Sequence, residues 1–384
     1  MRFEFATAAR IVFGAGAVRE VAPAAREMGT RALFVSGGPR QLAAPSLADL
    51  GAAGLASVPF PVDKEPTLDL VRRGAQLARE EGCDAVIGFG GGSAIDAGKA
   101  IAAVLGNPGD LLDYVEVIGA GKPLRLPSAP FIAVPTTAGT GAEVTRNAVL
   151  ASPEHKVKVS LRSHSMLARL AVVDPELTLD LPPEVTAATG LDALTQLIEP
   201  YVSARANPVT DAFCLDGMRR VARSVVRAFT DGHDREARTD MSLASLFGGL
   251  ALANAGLGAV HGFAAPIGGM FEAPHGAVCA ALLPHAMAVN LRTLRVRAPG
   301  SGVLSRYETV ACVLTGDARA TAEDGMAWVA GLCRRLSIPP LRAYGVRESD
   351  VPVLVEKAAS ASSMKANPIP LAPEEMADLI TLAL

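Results

Sequence analysis

The sequence predicts an α/β domain built on a parallel sheet, followed by an all-α domain. Three observations carry that prediction. Short, β-favouring apolar runs alternate with helix-patterned segments in the first part. Strand-like alternation then disappears after about Leu181. From there to Leu384, prolines and Asp-Gly pairs divide the chain into helical pieces. The boundary is placed at 180, giving domains 1–180 and 181–384, with the site expected in a cleft between them.

The elements follow in order. RALFVS, residues 31–36, is a short apolar run ending at Gly37-Gly38-Pro39. Residues 68–82 have helical spacing and a glycine stop. DAVIGF, residues 84–89, reads as a second buried strand. Residues 94–106 read as a helix closed by Asn107-Pro108-Gly109. FIAVP at 131–135 and LAVVDP at 170–175 supply two more strands. Strands separated by helices imply a parallel sheet with helices on both faces. In the second domain, Pro182-Pro183 opens a long helix, with breaks at Pro208, Asp231-Gly232, Pro266, Pro274, Pro284 and Pro339-Pro340. Residues 245–271 are the most membrane-like stretch. They are mostly Gly and Ala, hold Asn254 and His261, and read as a tightly packed buried helix followed by a loop.

Composition removes several function classes. The chain has 384 residues, of which 50% are hydrophobic and 20% charged, with a formal net charge of −3. That profile fits a globular protein with ample core and gives no broad basic field for nucleic acid. No membrane partner is expected. Five cysteines (Cys83, Cys214, Cys279, Cys312 and Cys333) are scattered, odd in number and free of C-x-x-C spacing. They point to a reducing, cytoplasmic compartment rather than a disulfide framework. The opening MRFEFATAARIVFG carries Glu4 and no long apolar core, so no secretory signal is expected.

Two loops have the chemistry to hold a phosphorylated ligand. Gly88-Phe89-Gly90-Gly91-Gly92-Ser93 lies between a predicted strand and a predicted helix. Glycines let backbone N–H groups approach a phosphate, and a helix N-terminus favours the anion; Ser93 is a candidate cap or anion ligand. The alternative is a tight turn with no ligand. The turn departs from the dinucleotide fingerprint, because Ser93 takes the third glycine position and Asp110, at the right spacing for the acidic residue, lies in a loop-like segment. Asp96 and Lys99 read as an i,i+3 ion pair on a solvated helix face. The loop from Pro135 to Thr145 crowds Thr136, Thr137, Thr140 and Thr145 around Gly139 and Gly141, offering donors to ribose and phosphate or simply a polar surface turn.

Of six histidines, His261, His275 and His285 fall in one short window. Upstream, Asp192 and Gln196 are four apart on a predicted helix and share a face. A carboxylate and imidazoles that converge can bind Zn²⁺ or Fe²⁺ with a position left for substrate. The competing reading is a set of buried, hydrogen-bonded histidines and a helix-capping aspartate.

Across nearly its whole length the chain resembles the iron-containing, group III alcohol dehydrogenases. The resemblance is carried in order by IVFGAGA, GGGSAIDAGKA, PTTAGTGAEVT, the stretch from AVVDPELT through GLDALTQLIEPYVS, and NAGLGAVHGFAAPIGGMFEAPHGAVCAALLPHAMAVN. It implies a Rossmann-like N-terminal domain and a helical C-terminal domain, the fold shared with dehydroquinate synthase. It also implies that Gly37, Gly91, Gly92, Ser93, Asp96, Thr136, Thr137, Thr145, Asn147 and Lys158 contact a nicotinamide cofactor. Asp192, His261 and His275 sit where the family has three of its four metal ligands, and the two histidines are the candidate catalytic groups. Two departures stand out. The fourth ligand position holds Gln196 instead of histidine, and Ala265 stands where the family has a second histidine four residues after His261.

The resemblance implies a cytoplasmic homodimer that transfers a hydride between NAD or NADP and a small alcohol/aldehyde or ketone pair, with Fe or Zn as Lewis acid. Gly37 in place of an acidic residue, with Arg40 nearby, leaves NADP open beside NAD. Two alternatives accompany this reading. One is a maleylacetate-type reductase of a carboxylate-bearing substrate, working without tightly bound metal, with Arg146, Arg162 or Lys158 as the anion partner. The other is a cofactor-binding homologue with weakened catalysis.

Overall fold

A computed structural model describes residues 2–107 and 109–384. The chain folds as two compact units. One comprises residues 5–137 and 141–180, and the other is formed by residues 138–140 and 181–384 together with the start of the chain.

The first unit carries strands β1 (Ile11–Phe13), β2 (Arg31–Ser36), β3 (Ala56–Pro61), β4 (Ala85–Gly90), β5 (Phe131–Pro135), β6 (Asn147–Ser152), β7 (Val157–Arg162) and β8 (Leu170–Val173). Its helices are α1 (Val21–Met28), α2 (Arg40–Ala52), α3 (Leu68–Glu80) and α4 (Gly92–Gly106). Six strands form a parallel sheet in the order β1-β8-β5-β4-β2-β3. The central strands are apolar along their whole length because both faces are covered. Phe34, Ile87, Phe89, Val134 and Val172 form one core with Ala22 and Ala25 of α1 and Leu50 of α2. On the other face α4 comes close to β4. A Cβ on Gly98 would lie 2.8 Å from the Phe131 ring and 3.4 Å from Gly88 Cα, so the two glycines set the helix-to-sheet distance.

β2 has β3 on one side and β4 on the other, so the chain reverses its direction of travel across the sheet there. Ligands of open α/β sheets bind outside the carboxyl ends of the strands at such a switch point. Here those ends are Ser36-Gly37 and Gly90-Gly91.

β6 and β7 make a separate antiparallel hairpin. The sequence reading missed this hairpin together with β1, β3, α1 and α2. The helix predicted at 94–106 begins two residues earlier, at Gly92. Its predicted stop includes Pro108, which lies outside the described residues. Asn107 itself accepts from Arg125 N at 3.0 Å and Leu126 N at 2.9 Å, and donates to Ala103 O at 2.9 Å.

The second unit is helical: α5 (Pro183–Val202), α6 (Pro208–Thr230), α7 (Arg235–Ala255), α8 (Ala259–Met270), α9 (His275–Arg297), α10 (Val303–Thr315), α11 (Ala322–Arg335), α12 (Val351–Ser360) and α13 (Pro373–Ala383). Residues 245–271 are not one helix and a loop. They hold the end of α7 and all of α8, which meet at a 100° bend. Pro266 and Pro284, read as breaks, lie inside α8 and α9. A proline costs a helix interior about 3 kcal/mol. That loss is offset here by deep burial, since residues of both helices belong to the unit's main core. α9 is long and apolar enough to cross a membrane, yet 78% of its apolar window is buried within the protein, as in a core helix.

Candidate metal centre and cofactor turn

Asp192 sits in the middle of α5, with Gln196 one turn and Glu199 two turns further on, so all three share a face. Asp192, Gln196 and Glu199 are 1%, 2% and 6% exposed. Asp192 is therefore not a helix cap. α8 begins at Ala259, directly after Gly258, with no cap from its own N-cap residue. Its free N–H groups are met from elsewhere. Ala259 N donates to Asn367 Oδ1 at 3.0 Å, and Val260 N donates to Glu199 Oε1 at 2.7 Å. These bonds fix the next residue, His261. His275 is the first residue of α9. Gly276 after it has no room for a side chain, because a Cβ there would lie 2.5 Å from Ala188 O of α5.

The three elements bring four donor atoms together. His261 Nε2 lies 3.3 Å from Asp192 Oδ1, and His275 Nε2 lies 3.8 Å from the same oxygen. Cys279 Sγ, one turn along α9 from His275, is 3.7 Å from His261 Nε2 and 3.6 Å from His275 Nε2. One ligand atom from each of the four residues falls within 4.8 Å of all the others. His285 is not part of this group.

Asp192 Oδ1 and Gln196 Oε1 are buried and have no hydrogen-bond partner. A buried orphan acceptor is costly unless something else satisfies it. Asp192 Oδ1 lies 3.3 Å and 3.8 Å from two imidazole nitrogens without a well-formed hydrogen bond, although the nearer contact, to His261, still acts on the carboxyl as one; ligand atoms aimed at a common centre are arranged in this way. His261 Nδ1 is 2.7 Å from Glu199 Oε2. Donating its Nδ1–H to Glu199 leaves the Nε2 lone pair pointing at the cluster, the tautomer a metal requires. These residues fit a divalent cation.

Burial disfavours the His261 imidazolium, but Cys279, Asp192 and Glu199 outweigh it and raise the group well above the usual imidazole range, so a metal at Nε2 would displace a proton. Burial opposes ionisation of Asp192, but His275 and His261 outweigh it and hold the carboxyl at about 2. A hydrogen bond from the Gln196 amide adds to this. Burial pushes the Cys279 thiol up to about 12.

In the sheet unit the tips of β2, β4 and β5 are tied together. Gly37 N donates to Phe89 O at 2.8 Å, and Thr136 N donates to Gly90 O at 2.9 Å. Gly90 has φ +149°, and a Cβ on it would lie 2.8 Å from Ala94 Cβ and 2.9 Å from Gly37 N, so only glycine is accepted. Gly91 is the N-cap of α4 and supplies no side-chain acceptor. Ser93, expected as a candidate cap, is instead the second residue of the helix. The helix therefore presents uncapped N–H groups at the switch point between β2 and β4.

Asp96 and Lys99 do not lie on a solvated face. Lys99 is 1% exposed, and its Nζ donates to Ala142 O and Thr145 Oγ1, both at 2.8 Å, while pairing with Asp96 at 3.0 Å. Asp96 Oδ2 accepts from Val149 N of β6 at 2.9 Å. Helix α4 thus anchors both the threonine loop and the hairpin that begins at Asn147. Thr145 also donates to Ala142 O at 3.1 Å, so its hydroxyl is spent on the loop itself. Thr136 is 4% exposed, and Thr137 sits against Gly91. Lys158 of β7 pairs with Glu65 at 2.5 Å. Of the other cations weighed as anion partners, Arg162 pairs with Glu116 at 3.5 Å and Arg146 contacts His164 at 2.7 Å.

The description "Iron-containing alcohol dehydrogenase" matches residues 8–175, and that of the family's C-terminal part matches residues 186–384. The chain belongs to the iron-containing alcohol dehydrogenase family. It is an oxidoreductase with that family's parallel-sheet and helical parts. It is 39% identical over 308 residues to 1,3-propanediol dehydrogenase of Klebsiella pneumoniae, covering 80% of this chain and 78% of that one. It is 34% identical over 382 residues to NAD-dependent methanol dehydrogenase of Bacillus methanolicus, covering 97% of each. It is 36% identical over 319 residues to alcohol dehydrogenase 4 of Saccharomyces cerevisiae, covering 83% and 80%. A crystal structure of a 1,3-propanediol oxidoreductase superposes with a TM-score of 0.92 at 34% identity over the whole of both chains.

Against this family's pattern, the structure brings Asp192, His261 and His275 together. Sequence reasoning missed three residues that shape these sites. Glu199 continues the spacing of Asp192 and Gln196, Cys279 stands four residues after His275 on one helix, and Lys99 lies beneath the threonine loop.

Proposed function

We propose that the enzyme interconverts a small primary alcohol and its aldehyde, with hydride passing to or from a nicotinamide dinucleotide. The observation that carries this is the orphaned Asp192 Oδ1 beside two imidazole nitrogens in a buried helical core. Asp192, His261 and His275 would hold the divalent metal. When bound, that cation supplies Lewis acidity that stabilises negative charge on the substrate oxygen. Glu199 keeps His261 in the Nδ1–H tautomer, and Gln196 steadies the Asp192 carboxylate. The uncapped start of α4 and the bare glycine turns at 37 and 90–92 accept the cofactor's pyrophosphate. Thr136, Thr137 and Asn147 line the segments that Lys99 holds in place. Ser36-Gly37 carries no carboxylate to repel a 2′-phosphate, and Arg40 opens α2, so NADPH is admitted as well as NADH. Free thiols at all five cysteines suit a reducing, cytoplasmic setting.

The test is oxidation of NADH and of NADPH with a panel of short aldehydes, before and after stripping with a chelator. Turnover that chelation abolishes and Zn²⁺ or Fe²⁺ restores supports the reading. Full activity in metal-free protein favours the reductase alternative without metal.

A further inference from the structure

Gln196 removes an imidazole from the expected ligand set, and the structure offers a replacement on a different helix. Cys279 is on α9 one turn beyond His275, so the two side chains share a face. Its sulfur is nearly equidistant from the two imidazole nitrogens, at 3.7 Å and 3.6 Å. In a tetrahedral site with ordinary Zn–N, Zn–O and Zn–S lengths, nitrogen–oxygen edges are about 3.4 Å and nitrogen–sulfur edges about 3.6 Å. The two nitrogen–oxygen separations are 3.3 Å and 3.8 Å. Four of the six edges are therefore already near those of a coordination tetrahedron, and the other two are no longer than 4.8 Å. The Gln196 amide hydrogen-bonds the Asp192 carboxylate and its Oε1 is unpartnered, but an amide oxygen is a weaker ligand for zinc than a thiolate.

We propose that the Cys279 thiolate is the fourth protein ligand of the metal, in place of the imidazole that Gln196 removes. The proposal rests on the metal reading above. Coordination forms the metal–sulfur bond and releases the thiol proton to solvent. One thiolate and one carboxylate balance a divalent charge, whereas one carboxylate with three imidazoles leaves a net positive centre. A soft sulfur also tilts the site towards zinc over iron.

The test uses the full-length protein, stripped with a chelator and reloaded with Co²⁺. The expected result is one equivalent of bound cobalt with a near-ultraviolet sulfur-to-cobalt charge-transfer band. Cys279→Ser and Cys279→Ala should lose the band while keeping the fold by circular dichroism, and should bind cobalt more weakly. Cys333 and Cys312 donate instead to the carbonyls of Ala280 and Ala320, so they do not mimic the signal. One equivalent of cobalt without the band overturns the thiolate ligand but leaves the metal-assisted reading standing. A band that persists in both variants overturns the assignment to Cys279. Failure to bind cobalt at all overturns both the ligand and the metal reading.

Discussion

Glu199→Gln is the most revealing single change, because it alters one proton position and almost no volume. In the native arrangement Glu199 Oε2 accepts from His261 Nδ1 at 2.7 Å while Oε1 accepts from Val260 N at 2.7 Å. Glutamine has only one acceptor oxygen. If that oxygen keeps Val260, the amide NH₂ faces the imidazole Nδ1–H, donor against donor. His261 escapes by moving its proton to Nε2, the nitrogen 3.3 Å from Asp192 Oδ1, and thereby loses the lone pair that faces the cluster. Losing an orienting partner of this kind costs about 10–100-fold in metal affinity, or about 1.4–2.7 kcal/mol. The metal-free protein also loses a buried charge-assisted hydrogen bond, about 1.5–3 kcal/mol of stability. Competition against a chelator reads the first quantity and thermal unfolding of the stripped protein reads the second. Glu199→Asp, which keeps the charge, should recover part of the affinity. Wild-type metal affinity in Glu199→Gln would refute the role given to His261 Nε2.

Other perturbations test the rest of the framework. Lys99→Met strips Asp96 of its buried partner and leaves Ala142 O without its donor, so stability should fall by about 3–5 kcal/mol, with a lower melting temperature and weaker NAD(P)H binding by fluorescence. An unchanged melting temperature would contradict its anchoring role. Burial raises Glu143 from 4.5 to about 7, against its own backbone N–H and Lys99. The fold thus favours the protonated acid; this contribution is full below pH 4.5 and is lost as pH rises through about 7. Glu143→Gln should therefore gain stability over wild type progressively between those values, by about 3 kcal/mol at most, and melting curves at pH 5 and pH 8 check the sign. Gly276→Ala places a methyl 2.5 Å from Ala188 O, so α9 must shift; about 1–3 kcal/mol of stability should go, together with metal affinity.

What the sequence disclosed follows the strength of its local signals. The central strands β2, β4 and β5 are buried on both faces, so they read as continuous apolar runs between turns. β3 and the β6–β7 hairpin are only partly buried, and their mixed patterns gave no strand signal. Pro266 and Pro284 misled because tertiary burial overrides a local breaker. The pairing of Asp192 with Gln196 was visible as one helix face, and Glu199 at the next turn was the same signal continued. Lys99 was misread because an i,i+3 charge pair says nothing about what docks over it. Cys279 could have been found only by noticing that His275 and a cysteine four residues on share a face. That spacing gains meaning once α5 and α8 supply the other donors.

The central claim is that Asp192, His261 and His275 hold a catalytic divalent metal. Crystals grown with zinc, with data collected across the zinc absorption edge, test it most directly. The account predicts one strong anomalous peak about 2.0–2.2 Å from Asp192 Oδ1, His261 Nε2 and His275 Nε2. A fully zinc-loaded protein with no peak among those three atoms would contradict it.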